Sequence, residues 1–529
     1  MTYYLNTDVP FELFKRTYNG KYFVDKSEIL TLLNERIDTD SNYICITKPR
    51  RFGKTVMTNL IASYYCKGFS SKEVFDNLKI SNNKEYLTNL NKHNVIFITF
   101  NEMPRVCNSY HDYIENIESK LIKDIKEVFP NIDIDENDAI WTILKEVYQT
   151  TKEGFVFIID EWDYLFNNNK FINNQDDFLQ FLMNLLKDQP YVKIAYMTGI
   201  LPIKKYSSGS ALNMFKEYDM INDKIFSKYF GFTDNEVKNL CLKNSVIKYE
   251  ELREWYNGYY SFDGERIYNP RSVKSALEDN YCKSYWTETG PFDEVSTYIK
   301  YNVKDVREEI VKMVSKIPVK IKLKGFSAGQ KTPSSKEEIL SAMVVYGFLS
   351  YNNEYLKIPN KELMEKFEEA LDSKDLGYTY TLIQHSDRML QATLAGDTVT
   401  MAKILQYTHD TESTILKYND ENSLSCIVNL IYLNSRNEYR MEREASSGCG
   451  YVDFIFYPLD KRKTGFILEL KVDSTAEKAI KQIKEKRYFT NFAGYSGKLL
   501  AVGMNYDKKN KEHKCLVEDI TNLKDNIIE

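Results

Sequence analysis

YICITKPRRFGKT, Tyr43 to Thr55, runs from a short apolar segment into a basic turn and then into a helical pattern. The first five residues, β-branched and aromatic, predict a buried strand, and Thr55 to Cys66 has helical apolar spacing. Strand, tight loop and helix together make a phosphate cradle: backbone N–H groups wrap the anion, a lysine reaches it and a hydroxyl serves Mg²⁺. Gly53, Lys54 and Thr55 fit the end of such a loop, whose usual pattern is G-x-x-x-x-G-K-T; Lys48 stands where the first glycine would be. Taken alone, the triplet fits a basic surface turn before a helix equally well.

Similar apolar runs follow at Val95 to Phe100, Phe155 to Ile159 and Val192 to Met197, separated by helical segments that include Tyr110 to Val128 and Asp177 to Lys187. This alternation predicts an open parallel α/β sheet with helices on both faces. FVFII is followed by Asp160 and Glu161, where a P-loop ATPase carries an Mg²⁺-coordinating Asp and a water-polarising Glu. Carboxylates also begin ordinary loops, but two such motifs in order, each closing a predicted strand, point to nucleotide binding. Asp163 fits a third polar ligand or a helix cap. Thr198 fits a γ-phosphate-sensing position or a plain strand end, and Arg50 and Arg51 fit phosphate contact or packing on the sheet.

The chain has 529 residues, enough for three or four domains, with 43% hydrophobic and 28% charged residues. That composition excludes collagen-like, mucin-like and wholly disordered classes. A net charge of -5 gives no global argument for a nucleic-acid partner, although an acidic protein can carry a basic cleft. Eight cysteines are spread singly, which argues for a reducing compartment and against structural zinc. The N-terminus lacks a basic segment followed by an apolar run, and no apolar stretch approaches 18 residues. The expected location is the cytoplasm, with no membrane partner.

Beyond Leu201 the pattern turns mostly helical and polar. Thr233 and Glu236 have capping-box spacing at the head of a helix, and WYNGYYSFDGERIYNP, 255–270, reads as a compact loop or hairpin. VKIKLKG after Pro318 reads as an exposed strand edge before the break SAGQKTPSS, and SKEEILSAMVVYGFLSYNN as a helix and turn.

A second α/β unit of about 110 residues begins after about 410: a helix near Asn419 to Asn434, strands YVDFIFY and GFILELKV, a helix over Ala476 to Tyr488 and the strand KLLAVGM. Glu469 and Lys471, at i and i+2, share one strand face while Leu468, Leu470 and Val472 point into apolar packing. Charges set into an apolar strand cost burial energy unless paired or bound. Asp453 and Glu469 together suit Mg²⁺, with the Leu470 carbonyl as a further ligand, and Lys471 can orient or deprotonate a water attacking phosphorus. An exposed edge strand with a routine Glu–Lys pair remains open. Lys478, Lys481 and Lys484 could face phosphates or form a solvated helix face.

Most of residues 3–400 resemble the predicted AAA-type ATPase-like family often fused to a nuclease-like domain in bacteria and archaea. The resemblance rests on YFVDKS at 22–27, KPRRFGKT at 48–55, IIDEWD at 158–163, TGILPI at 198–203, WYNGYY at 255–260 and YNP at 268–270. Members also lack the first loop glycine, carrying an Arg-Pro-Arg-Arg-Phe-Gly-Lys-like string, so Lys48 is a mild departure. The resemblance implies ATP, with Lys54 on the β and γ phosphates, Thr55 and Asp160 on Mg²⁺, and Glu161 orienting water. Roughly 415–510 resembles the PD-(D/E)XK nuclease superfamily, through ELK and the preceding Asp453 after a Gly-rich turn. That likeness implies Mg²⁺ (or Mn²⁺), a third carboxylate from the first helix, Glu421, with Glu444 competing, and a polar Gln482 that touches substrate or Lys471 or lies on a solvated face.

The division expected is an AAA-like P-loop domain over 1–210, a mainly helical middle over 211–410 and a restriction-endonuclease-like α/β domain over 411–529. The function expected is ATP binding and hydrolysis coupled to Mg²⁺-dependent cleavage of nucleic acid, DNA ahead of RNA. The alternative is a nucleotide-switched binding or regulatory module with a weak or inactive nuclease fold. No arginine finger is identifiable, which is compatible with a homo-oligomer that supplies one.

Overall fold

The computed structural model describes residues 2–525 apart from 168, 172, 204–211, 221–222, 245, 287–305, 315–317, 323–334, 373–376, 413–420, 433–434, 436–437 and 448–449. They form two compact units, Met1–Val295 with Pro318–Lys366 and Ser296–Ile317 with Phe367–Glu529.

The first unit is built on five parallel strands: β1 Tyr43–Thr47, β2 Asn94–Thr99, β3 Phe155–Asp160, β4 Val192–Gly199 and β5 Lys216–Tyr218, ordered β2-β3-β4-β1-β5. The burial of β3 follows from its sequence. All six residues are buried; Phe155, Phe157 and Ile159 enter one core with Leu121 and Leu182, and Val156 and Ile158 enter another with Leu60 and Ile61. The period of two sends alternate side chains into an apolar layer on each face. The helix Tyr110–Val128 spans the expected residues, opens on a Ser109–Asp112 capping box and buries Tyr113, Ile117, Leu121 and Ile125 at four-residue spacing. β5 carries no apolar run that would announce it; it is three residues long and forms one edge of the sheet. Since the strands are parallel, the carboxyl ends of β1, β3 and β4 share one rim, where a ligand crevice forms in open α/β sheets.

The rest of this unit carries helices and two three-stranded sheets. One, ordered β6-β8-β7, joins β6 Phe232–Thr233, β7 Tyr259–Tyr260 and β8 Arg266–Tyr268, so the middle of the aromatic 255–270 segment forms the expected hairpin, while Trp255 and Tyr256 close helix Tyr249–Tyr256 and Pro270 opens helix Pro270–Asp279. Thr233 and Glu236 make the expected capping box at helix Asp234–Cys241. The other, ordered β10-β11-β9, joins β9 Val319–Lys320, β10 Ser350–Asn352 and β11 Tyr355–Lys357, with β9 at its edge; SAGQKTPSS lies mostly outside the described residues.

The second unit has five strands in sequence order: β12 Tyr439–Ser447, β13 Gly450–Pro458, β14 Gly465–Val472, β15 Leu499–Asp507 and β16 Glu512–Asp519. β14 and β15 are parallel and the other neighbours antiparallel. β12 and β16 carry little strand signal in sequence because YRMEREASS and EHKCLVED are charge-rich, as outer strands tolerate. Helices Gly377–Ala395, Thr398–Glu412 and Glu421–Ile431 supply Met389, Leu405 and Ile427 to a core with Leu468 and Leu470. Helix Ala476–Glu485 packs Ile480 and Ile483 against Ile455 and Ile467 in a separate cluster. It lies so close to β15 that a Cβ on Gly503 would fall 2.3 Å from the Ala476 carbonyl oxygen. Among the described residues no helix is long and apolar enough to cross a membrane.

Candidate functional site

Two constellations gather charge, one in each unit. In the first, β1 hands the chain to the loop 48–53 and helix Lys54–Tyr65. Gly53 has φ 89°, and a Cβ there would meet nothing within 4 Å, so the demand on this position is conformational and not a matter of space. Arg51 adopts the left-handed region as well, at φ 68°, a conformation that non-glycine residues seldom hold without a structural or functional cause. Arg50 and Arg51 are both exposed and do not pack on the sheet. Thr55 is exposed in the first helical turn.

Lys54 is buried, and its ammonium donates to the carbonyls of Lys48 and Pro49 at 2.8 and 2.9 Å. Burial pushes its pKa down to about 8, against the opposing charges of Asp163, Asp160 and Glu161. Lys48, in place of the loop's first glycine, is 2% exposed and forms a 2.8 Å ion pair with Asp223, itself 1% exposed. Its ammonium also donates to the Asp219 carbonyl at 2.6 Å. Lys48 is therefore an anchor that pins the loop to the segment after β5, a role the spacing of the motif did not reveal.

Asp160 ends β3 and accepts a short hydrogen bond from the Thr198 hydroxyl on β4. The structure thus joins Thr198 to the carboxylate assigned to metal. Glu161 holds φ 51° and accepts from Asn101 Nδ2 at 2.8 Å. Asn101 was not anticipated; its signal was its place just past β2, whose Thr99 is in register with Asp160. Asp163 accepts from the backbone N–H groups of Ile200 and Leu201, both at 2.9 Å, and so shapes the TGILPI turn. Burial pushes its pKa up.

The loop is gripped from outside by the same unit. Gly231 N–H donates to the Phe52 carbonyl at 3.1 Å, the Phe52 ring meets Tyr259 edge-on at 5.0 Å, and Tyr259 donates to the Gly347 carbonyl at 2.6 Å. A mainly apolar cavity of about 100 Å³ opens beside Gly53, with Phe52, Val56, Tyr229 and Phe232 in its wall and Lys26 and Lys274 at its polar side.

In the second unit, Glu469 lies on the central strand β14 and is 3% exposed. A routine pair on an exposed edge strand is thereby ruled out. Asp453 Oδ2 accepts from Leu470 N–H at 2.7 Å, and Asp453 N–H points to Glu469 Oε2 at 3.5 Å. Lys471 donates to Glu469 Oε1 at 3.1 Å and to the Leu470 carbonyl at 2.9 Å. Gln482 reaches across from its helix and donates to Glu469 Oε1, a contact with the carboxylate and not only a solvated face. Burial first, and then the Asp453 charge, push the Glu469 pKa up to about 7 despite the lysine.

The donor set suits a hard cation: two carboxylates and a backbone carbonyl converge, and their oxygens are in electrostatic conflict. No group of three or more Asp, Glu, His or Cys gathers for a metal among the described residues. Glu421 opens helix Glu421–Ile431 and Glu444 lies on β12, but both side chains fall outside the described residues, as do Gly448 and Cys449 of the turn before Asp453. Lys481 pairs with Glu485 and Lys484 with Glu518, while Lys478 is exposed.

Residues 11–208 match the family described as predicted AAA-ATPase, and residues 419–515 match the PD-(D/E)XK nuclease superfamily. An uncharacterized protein in the vnfD 5′ region of Azotobacter chroococcum mcd 1 is 25% identical over 276 residues, 51% of this chain and 51% of that protein. The chain thus spans about half the length of the curated relative it matches. Among solved structures, the Walker-type ATPase PABY2304 of Pyrococcus abyssi is 12% identical, covering 65% of this chain and 94% of that one, with a TM-score of 0.34. The Aeropyrum pernix ORC2 protein is 11% identical, covering 65% and 91%, with a TM-score of 0.30.

Proposed function

From a chain that joins a predicted AAA-ATPase-like domain to a PD-(D/E)XK nuclease superfamily domain, we propose a protein that binds and hydrolyses ATP at the 48–55 loop and cuts nucleic acid at Asp453, Glu469 and Lys471, the first act gating the second. The observation that carries the reading is Glu469, buried beside Asp453 with its pKa pushed up to about 7: two carboxylates whose repulsion a divalent cation relieves.

At the nucleotide site, Lys54 would exchange two carbonyl acceptors for charged β and γ phosphate oxygens, which bind an ammonium more strongly. Backbone N–H groups around Gly53 and the start of the helix face the phosphates, and Arg50 and Arg51, both exposed, are free to turn toward them. The apolar cavity beside Gly53 accepts the flat base. Thr55 and Asp160 would hold Mg²⁺, Thr198 keeps Asp160 in place, and Glu161, held by Asn101, would orient the attacking water. The arginine finger comes from a second copy of the chain.

At the nuclease site, Asp453, Glu469 and the Leu470 carbonyl would hold Mg²⁺ or Mn²⁺. Such an ion supplies an acidified water and charge neutralisation at phosphorus. Lys471 holds a proton at Nζ within reach of Glu469 and orients the water, and Gln482 keeps Glu469 Oε1 in line. The partner is nucleic acid, DNA ahead of RNA, and the singly spread cysteines suit the reducing cytoplasm.

The test is divalent-dependent cleavage of single- and double-stranded DNA and of RNA by the wild type and by Lys471→Ala, with and without ATP. Cleavage lost in Lys471→Ala supports the reading. No divalent-dependent cleavage of any substrate, or equal cleavage by both proteins, sinks the nuclease half. ATP binding untouched by Lys54→Ala sinks the nucleotide half, and tight binding of both ligands with turnover of neither leaves a regulatory module.

A further inference from the structure

Tyr488 lies just past the helix Ala476–Glu485, its ring buried with Val452, Ile480 and Ile483. Its hydroxyl donates to the Tyr451 carbonyl at 2.7 Å and accepts from Gln482 Nε2 at 3.3 Å. Gln482 Nε2 also donates to Glu469 Oε1, and Tyr451 stands two residues before Asp453 on β13. One hydroxyl therefore reaches both members of the carboxylate pair, Glu469 through an amide and Asp453 through the backbone. Gly450 passes so near that a Cβ there would lie 3.3 Å from that oxygen, tighter than an ordinary contact.

The ladder shows why β13 needs a tether there. The β13–β14 register runs from Phe456↔Phe466 to Phe454↔Leu468, and Asp453 sits one residue beyond its end. Past that point β13 is paired only with β12, through Val452↔Ala445 and on to Gly450↔Ser447, which leaves its distance from β14 unset by the ladder. The position of Asp453 relative to Glu469 is then set by side-chain bonds and by whatever fixes the backbone before it.

We propose that Tyr488 is a positioning residue of the nuclease-like site: its hydroxyl ties the start of β13 to Gln482 and so sets the spacing of Asp453 and Glu469 for a divalent cation. The catalytic consequence rests on the nuclease reading above; the tether itself does not.

Tyr488→Phe keeps the ring and removes the bond. Hydrogen–deuterium exchange of backbone amides in peptides spanning 450–456 should speed up about tenfold, as expected for one lost hydrogen bond. In the cleavage assay kcat should fall about tenfold with KM for nucleic acid unchanged, because the loss is of site geometry and not of substrate binding. Gly450→Ala, which presses on the same hydroxyl from β13, should give the same two changes. Tyr495→Phe, which removes a hydroxyl bound to the Lys463 carbonyl before β14 begins, should give neither. If wild type does not cleave, the nuclease reading falls and exchange alone decides the tether. Wild-type exchange at 450–456 in Tyr488→Phe overturns the proposal, whatever the rate; so does faster exchange with unchanged kcat in a protein that cleaves.

Discussion

The loop at 48–55 and the strand pair at 453–471 both bury charge, and they meet its cost in opposite ways. Around the loop the buried charges are lysines and each is matched: Lys54 is hydrogen-bonded to two carbonyls with Asp160, Glu161 and Asp163 around it, and Lys48 is paired with Asp223. Around β14 the excess is of acceptors: Glu469 and Asp453 face each other, and one lysine does not bring Glu469 back to an ordinary carboxylate. The first region balances its buried charges, and the second leaves a carboxylate pair in conflict.

The comparison breaks first at Lys48. Truncating it to alanine strands the Asp223 carboxylate in the interior, and denaturation of the first unit should show a loss of about 3–5 kcal/mol. The double variant Lys48→Met with Asp223→Asn, which removes both charges and keeps an acceptor for the Ile225 and Phe226 N–H groups, should recover much of that loss; if Lys48→Ala is neutral, the loop is not anchored by this pair.

The acceptor excess predicts a pH dependence. Because the folded Glu469 pKa, about 7, exceeds its ordinary 4.5, the folded state binds more protons than the unfolded chain between those values. Metal-free wild type should therefore lose up to about 3 kcal/mol as pH rises through that window. Glu469→Gln should lack the slope, and saturating Mg²⁺ should flatten it in wild type. Equal slopes with and without the carboxyl would remove the conflict on which the cation reading depends.

On the donor side, Lys54→Ala should weaken ATP binding about a hundredfold in a calorimetric titration, the size expected for charge-assisted bonds to phosphate. Affinity within threefold of wild type would show that the ammonium is structural and not phosphate-binding. The smallest expected effect is that of Tyr259→Phe, which removes the bond to the Gly347 carbonyl and leaves the ring on Phe52; about 1 kcal/mol should be lost from the first unit, with nucleic-acid cleavage unchanged.

Motifs at strand ends were legible because strand, loop and helix are contiguous: Gly53, Lys54, Thr55, Asp160 and Glu161 are placed on one rim by local pattern and the parallel order of the strands. The shared face of Glu469 and Lys471 was legible for the same reason, since period two is a local property. Whether β14 is an edge or a centre was not, because that depends on β12 and β16, whose charged sequences carry little strand signal. Partners far apart in the chain were also hidden. Lys48 and Asp223 are 175 positions apart, Asn101 and Glu161 are 60, and Tyr451 and Tyr488 are 37.

The amino-acid order alone determined which strands are buried, which turn carries a phosphate-loop pattern, and which carboxylates interrupt an apolar strand. These follow from nearest-neighbour periodicity and side-chain type. Tertiary structure decided how those groups are charged and held. Lys48 became an anchor, Asp163 a turn cap, Thr198 the partner of Asp160 and Gln482 the partner of Glu469. The physical reason is that desolvation and pairing depend on what closes over a residue in space, and that cover comes from segments its sequence neighbours do not contain.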